Sequence, residues 1–379
     1  MISGIQLSLL IGPIVPIPAP RVVIDALDSV TVTTSAGETS GFQMSLAIDS
    51  RSQLNTLFLI AGGQSSTPAT PPLRVTMVIT MNATPTVLFD GVMTRIEVQP
   101  GQSGARGSIT VTGEDISRVM DNIDFSGLPY PAMPVPARVA LICAKYAMFG
   151  LVPVVIPPIF LDVPIPIERI PGHQGTDLQY LRQMASEAGY VFYVEPGPTP
   201  GMNVAYFGPE IKVGVPQPAL NIDMDAHTNV ESMNFSFDPT KGVLPIVFIQ
   251  NQATRAPIPI PIPNLNPLQP PLGVLPTPLS NIRMMKDTAK LDPLRAIGRG
   301  VAEAAKSQDS VTASGSLSVL RYGRLLKARQ LVGVRGAGLA YNGLYYVKKV
   351  TSTLKRGEFR QRFELTRNGL ISIVSSVPA

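Results

Sequence analysis

Only two histidines occur in the 379-residue chain, His173 and His227, so any imidazole-based acid, base or metal chemistry must centre on them. Neither falls in an HExxH or comparable metal-ligand spacing. His173 lies in PGHQGTD ahead of a helical pattern, where a loop histidine near a helix cap is the expectation. Asp223, Asp225 and His227 form a D-x-D-x-H triplet that could crowd a cation, but strand alternation would also set them on a solvated face, which is the favoured reading. The glycine-dense GVRGAGLAYNG, residues 333–343, has no Walker lysine-serine pair and runs into a strand, so it reads as a turn rather than a phosphate cradle. Cys143, the only cysteine, sits on the apolar side of a helical stretch and reads as a core filler. It excludes an intramolecular disulfide and a thiolate metal cage. No acid pair of glycosidase character stands out. The expectation is a non-enzymatic protein with no catalytic residue, no metal and no cofactor.

The elements that carry these residues are short and punctuated. Residues 21–113 read as alternating β-runs, RVVIDALDSVTVTTS, FQMSLAID, LRVTMVITM, TVLFDGVMTRIEVQP and GSITVTGED, with Gly, Pro, Asn and Ser between them. A short helix is expected near Glu114, with Ile116, Val119 and Met120 on one face. Residues 137–149 and 176–188 read as helices, the first between Pro136 and Gly150, the second with Thr176 as N-cap and Gly189 as its stop. YVFYVEPG and MNVAYFGPE follow as strands, which gives a small α/β unit. A helix over about 293–307 then leads into SLSVLRYG, ARQLVGVRG, YNGLYYVKKVTSTLKRG and FRQRFELTRNG, read as strands separated by glycine turns.

Length predicts two or three domains. The 45% hydrophobic and 15% charged composition can bury large cores and leaves apolar surface for an oligomer. The first twenty residues are apolar but hold Pro13, Pro16, Pro18 and Pro20 and no basic n-region, so neither a signal peptide nor a membrane span is expected there. Prolines, 38 in all, cluster at 11–20, 153–166 and 257–278 and predict extended seams between folded units, with 257–278 expected to lie along a neighbouring surface. Net charge is +5, yet residues 281–379 hold 18 Lys/Arg against 6 Asp/Glu. That basic quarter is either a solvated face or a surface for an acidic partner, nucleic acid included.

Two segments echo each other. LFDGVMTRIEV, 88–98, matches AYNGLYYVKKV, 340–350, with Phe89-Asp90-Gly91 on Tyr341-Asn342-Gly343. The shared content reads as an Asp/Asn-Gly turn followed by a strand with one buried face. A true duplication would make two similar barrels around an inserted α/β domain, and three chains would then present six quasi-equivalent units.

The run 317–369, with Gly343, Tyr345, Val347, Gly357, Phe363, Leu365, Arg367 and Asn368 at its strand and turn positions, resembles the C-terminal barrel of the phage late control protein D family, baseplate hubs of contractile tails. The hub portion of type VI secretion VgrG spikes is similar. TDLQYLRQMASEAGYVFYVEPG with MNVAYFGPE, and NVESMNFSFDP, resemble the same family's inserted domain and its return to the second barrel. The resemblance implies a mainly β fold, with two similar small antiparallel β-barrels flanking an α+β insertion. The expected boundaries are 1–125, 126–240 and 241–379. It further implies a structural baseplate hub in a virion or tail-like particle made in the host bacterial cytoplasm. That hub is a homotrimer acting as a pseudo-hexameric adaptor between tail tube proteins and a trimeric spike, beside other baseplate proteins. Proline-rich inserts longer than the family pattern depart from it, and the absence of an OB-fold or β-helix after the hub leads to the expectation of a separate spike protein. A nucleic-acid-binding protein using the basic C-terminal region is the alternative.

Overall fold

The computed structural model describes residues 4–48, 72–101, 106–158, 164–167, 170–250, 256–262, 269–286, 288, 293–307 and 309–374. The first half holds β1 (Ile5–Gly12), β2 (Ile17–Pro18), a one-and-a-half-turn helix α1 (Arg21–Ala26), β3 (Leu27–Ser35), β4 (Gly41–Ile48), β5 (Arg74–Met81), β6 (Thr84–Gln99) and β7 (Gly107–Asp115). Alternation sets the faces. In β7, GSITVTGED buries every second residue, and Ile109 and Val111 are fully buried. Leu9, Val30, Phe42, Val75, Phe89 and Val111, from six different strands, share one core as barrel walls do.

The chain then leaves for a helical insert. A 3-10 turn over Ile116–Asp121 is followed by α2 (Val135–Ala144), β8 (Leu151–Val155), α3 (Asp177–Ala188), β9 (Val191–Pro196) and β10 (Asn203–Gly208). β10 pairs parallel with β8 and antiparallel with β9. α3 forms where its sequence predicts. The Thr176 hydroxyl accepts from the Gln179 N–H, the Gln179 side chain accepts from the Thr176 N–H, and Gly189 at φ 71° ends it. Leu178, Leu181, Met184 and Ala185 bury one face beside Ile142, Cys143 and Phe207.

The second half comprises β11 (Gln217–Asn221), β12 (Val230–Phe237), β13 (Val243–Gln250), β14 (Pro257–Pro261), β15 (Gly273–Pro276), β16 (Asn281–Met284), helix α4 (Pro293–Ser307), β17 (Val311–Ser318), the single-turn α5 (Val319–Tyr322), β18 (Leu331–Arg335), β19 (Gly343–Lys355), β20 (Glu358–Arg367) and β21 (Gly369–Ser372). Leu220, Val230, Leu317, Val332, Val347, Phe363 and Leu365 build its core.

Numbering each half's six core strands from a to f in chain order, the lateral order is a-d-e-f-c-b in both. It reads β1-β5-β6-β7-β4-β3 in the first half and β11-β18-β19-β20-β17-β12 in the second. Two irregularities coincide as well. A bulge leaves Asp28 unpaired in β3 and Glu231 in β12, each between an apolar residue and a serine that faces a serine on the c strand. A second bulge leaves Thr94 unpaired in β6 and Lys348 in β19. The chain is therefore a topological duplication, mainly β, with an α/β insert between its halves. The halves differ at one edge: β1 joins β5 antiparallel, whereas β11 joins β18 parallel. Among the described residues the ladder of neither half closes on itself. Both belong to a single 13-stranded sheet, fused where β3 pairs with β19 over seven residues, from Ser29↔Lys355 to Ser35↔Lys349.

Several local expectations change. Arg21–Ala26, read as the start of a strand, is helical after Pro20, because one turn buries Val23 while Val22 and Ile24 stay exposed. Val319–Tyr322, read as strand, is the helical turn α5. β11 and β12, grouped by sequence with the insert, pair with the second half instead, since their apolar residues complete that core. The proline-rich stretch forms the edge strand β14 on β13, where missing N–H groups cost nothing, and β15 on β21. Residues 159–163 and 263–268 of the expected extended segments lie outside the described residues.

One buried ion pair fastens the insert to the first half. Arg74 and Asp90 are each 1% exposed. The Arg74 guanidinium donates in a fork to both Asp90 oxygens at 2.7 Å, and to the carbonyls of Ile14 and Gly201 at 2.9 Å. Thr76 and Asn203 complete the carboxylate's partners at 3.0 and 3.2 Å. Removing one partner leaves an uncompensated buried charge, so Asp90→Ala should lose about 3–5 kcal/mol in urea unfolding, and a paired Arg74→Met/Asp90→Leu chain should regain most of it. Equal losses in both chains would remove the pair from this role.

Candidate assembly surface

The residues singled out for chemistry do not converge. His227 lies in a 3-10 turn, Asp225–His227, between β11 and β12, and Asp223 and Asp225 have φ of 47° and 48°. The triplet is an exposed turn rather than a strand face, because left-handed backbone at both aspartates breaks the alternation. Among the described residues no three His, Cys, Asp or Glu side chains are grouped to hold a metal. Cys143 is fully buried, and burial pushes its thiol up to about 12, away from thiolate chemistry.

His173 does lie ahead of the α3 cap, but deep inside the insert at 2% exposure. Its ring packs 4.4 Å from Tyr180, with Phe125 and Tyr130 beyond. Tyr130 Oη lies 3.0 Å from Nδ1, and Asp177 Oδ1 lies 3.5 Å from Nε2. Asp177 is held in turn by Lys145 at 3.1 Å and by the Tyr146 hydroxyl at 2.8 Å, while Arg138 reaches Tyr180. This is an internal network that braces α2 against α3. Within it His173, Asp177, Tyr130 and Tyr180 are all buried.

The residues of the resemblance sit in three structural roles. Tyr345, Val347, Phe363 and Leu365 are core side chains exposed by 2% or less. Arg367, fully buried, donates to the carbonyls of Gly369, Asn342 and Ala340 at 2.6–2.8 Å and lies 4.6 Å from the Tyr345 ring, so it fixes the turn before β19 to the end of β20. Asn368 accepts from the Leu272 N–H at 2.7 Å and donates to the Pro270 carbonyl at 3.1 Å, clipping the proline-rich segment in place. Tyr341 stacks on Phe235 at 4.8 Å, Asn342 accepts from the Ala337 N–H, and Gly343 takes φ 131°, as a turn requires. Gly357, at φ 83°, makes the β19–β20 turn.

Phe89, Asp90 and Gly91 do not mirror that turn. They lie inside β6, where Phe89 packs 5.4 Å from Phe42 and Asp90 meets Arg74. Gly91 is required by crowding, since a Cβ there would stand 2.2 Å from the Glu114 carbonyl oxygen. The matched bulges put Thr94 on Lys348, whereas the sequence echo put it on Tyr346. The echo found the right two strands and was displaced by two residues, a shift that leaves each side chain on its face. The missed signal was a change of phase. The buried sheet-core residues fall on odd positions at Phe89, Met93, Tyr345 and Val347, and the core-facing ones then on even positions at Ile96, Val98 and Val350.

What the topology does assemble is a continuous polar face. Opposite the two cores, the eight strands from β12 through β17, β20, β19, β3, β4 and β7 to β6 present mostly small hydroxyl and amide side chains. One cross-strand row runs Ser232, Ser316, Arg362, Thr351, Thr33. Within it Ser232 and Ser316 are joined at 2.9 Å, and Thr33 and Thr351 at 3.3 Å across the fusion of the halves. A depression of about 380 Å³ over Ser232, Asn234, Thr351 and Arg362 is open, polar sheet surface, unlike the apolar walls of a small-molecule site.

Several basic residues of the C-terminal quarter are engaged within the chain, while others, Arg321, Arg324, Lys327 and Arg362 among them, are exposed. Arg329, at φ 64°, donates to the Ser35 carbonyl at 2.7 Å, pairs with Glu195 at 3.4 Å and lies 4.0 Å from the Tyr193 ring, so one side chain touches both halves and the insert. Arg356 donates to the Asp25 carbonyl, Lys349 faces Glu38 and Arg360 meets Glu231. The charge imbalance along the sequence is partly complementarity within the chain.

No family model and no curated protein matches the chain in sequence. Solved structures do match in fold. A tail protein from Neisseria meningitidis MC58 superposes with a TM-score of 0.63 at 13% identity, over 97% of this chain and 98% of its own. The 43 kDa tail protein of prophage MuSo2 from Shewanella oneidensis gives 0.62 at 12%, over 96% and 98%. The E. coli c3393 protein, a component of the type VI secretion system, gives 0.53 at 10%, over 93% of this chain and 76% of its own. The fold is that of phage and prophage tail proteins and of a type VI secretion component. Among the described residues no helix is long and apolar enough to cross a membrane.

Burial holds the His173 imidazole below its ordinary pKa, with Asp177 opposing. A depressed histidine contributes stability above its unfolded pKa of about 6.5 that is lost as pH falls through the folded value. Thermal unfolding should therefore drop between pH 7.5 and pH 5, and His173→Gln should start lower but fall less over that range. An undiminished fall in the variant would show that other groups carry the acid sensitivity.

Proposed function

We propose that this chain is a structural hub subunit of a contractile tail or tail-like injection machine. Three copies form a ring of six quasi-equivalent units that adapts the sixfold tail tube above to a trimeric spike below, within a baseplate of further proteins. The observation that carries the reading is the a-d-e-f-c-b order repeated in both halves with the same two bulges, since a protein carrying two like units can match a sixfold and a threefold neighbour at once. The continuous polar face supplies a wall for an axial passage: hydroxyl side chains hydrogen-bond to water and give a passing polymer no sticky apolar patch. The role is geometric and mechanical rather than catalytic, in a particle assembled from subunits made in the host bacterial cytoplasm.

Nucleic-acid binding by the basic C-terminal region is the weaker alternative, because Arg329, Lys349, Arg356, Arg360 and Arg367 are engaged by carbonyls and carboxylates of this same chain. Native mass measurement should give three chains per particle, and imaging should show six lobes around a hole. A solitary chain at high concentration would end the hub reading. A salt-sensitive gel shift by such a chain would favour nucleic acid instead.

A further inference from the structure

The fusion of the two halves is a b strand of one against the e strand of the other: β3 on β19. The duplication supplies a second b strand, β12, and a second e strand, β6. Among the described residues both have open edges. β12 ends the sheet, paired only with β17, and β6 beyond Val92 is paired only with β7. We infer that β12 of one copy pairs antiparallel with the Arg95–Gln99 edge of β6 in the next copy, repeating between chains the joint that β3 and β19 make within one. The inference rests on the hub reading and names the surface that builds the ring.

The matched bulges fix the register. Setting Glu231 on Asp28 and Lys348 on Thr94 converts the observed pairs Thr34↔Val350, Thr33↔Thr351 and Val32↔Ser352 into Phe237 opposite Ile96, Ser236 opposite Glu97, and Phe235 opposite Val98. The chemistry of the two edges agrees with that register. Apolar residues meet on the core side, polar ones on the polar face, and Ser35↔Lys349 becomes Asp238 opposite Arg95, an attractive pair. Burial points the same way. Val30 and Val32, covered by β19, are 1% exposed, as is Val350. Their counterparts Met233, Phe235 and Ile96 are only half-buried, each lacking the strand that covers its equivalent. An open, alternating edge of this kind is a template for another strand.

A chain carrying Glu97→Cys and Ser236→Cys tests the register, because both sites are exposed and leave the cores intact. Directly opposed antiparallel residues lie about 4.5–5.5 Å apart at Cα, within disulfide reach. Mild oxidation should move the monomer band to reductant-sensitive bands of two and three chains, ending at three. Glu97→Cys with Ser232→Cys, about 13 Å out of register, should not cross-link. Trimers by native mass without the in-register bridge would overturn the strand pairing and leave the hub reading standing. Cross-linked ladders running past three would keep the pairing and overturn the closed ring. Monomer throughout, without a bridge, would overturn both.

Discussion

The two halves of this molecule become one sheet through seven residue pairs between β3 and β19. They turn two separate six-stranded units into one sheet, and they do so between residues more than three hundred positions apart. Backbone hydrogen bonds of that ladder satisfy two edges that would otherwise stand open. Side chains reinforce it from both faces: Val30 and Val32 enter the core, Thr33 and Thr351 meet on the polar side, and Arg329 ties its end to the insert. Contacts of such separation in sequence are slow to form, because the loop between them must be ordered first. The cores also meet, since Ile5 and Ile79 of the first half are buried among the second half's core residues.

The duplication is plain in topology and nearly absent in sequence. Strand order, two bulges and the alternation of faces are shared, but the polar clamps are not. Arg74 and Asp90 secure the first half to the insert, whereas the second half uses Arg367 against carbonyls and Lys212 against Asp309. A sheet needs only period-two apolarity and bulges at fixed points, and many side chains meet that need. The clamps answer to what each half touches, and the two halves touch different things.

What was legible in the sequence was local. Thr176, Asp177 and Gly189 announce α3 because a helix cap is written within a few consecutive residues. The mainly β character and the insert were readable from period. Arg21–Ala26 misled because its alternation could serve a strand or a single helical turn, and burial of Val23 alone decided it. The echo at Phe89 and Tyr341 slipped by two residues because alternating patterns match equally well at every even shift. The fork of Arg74 onto Asp90, Ile14 and Gly201, and that of Arg329 onto Ser35 and Glu195, gave no signal, since their partners are distant along the chain.

The halves differ again at the connection between strands b and c. In the first half five residues link β3 to β4, while in the second the chain inserts β13, β14, β16 and α4, with their own small core of Val247, Ile262 and Ala296, before it reaches β17. A neighbour that touches only the sheets meets the same surface twice per polypeptide, and one that touches this outgrowth meets it once.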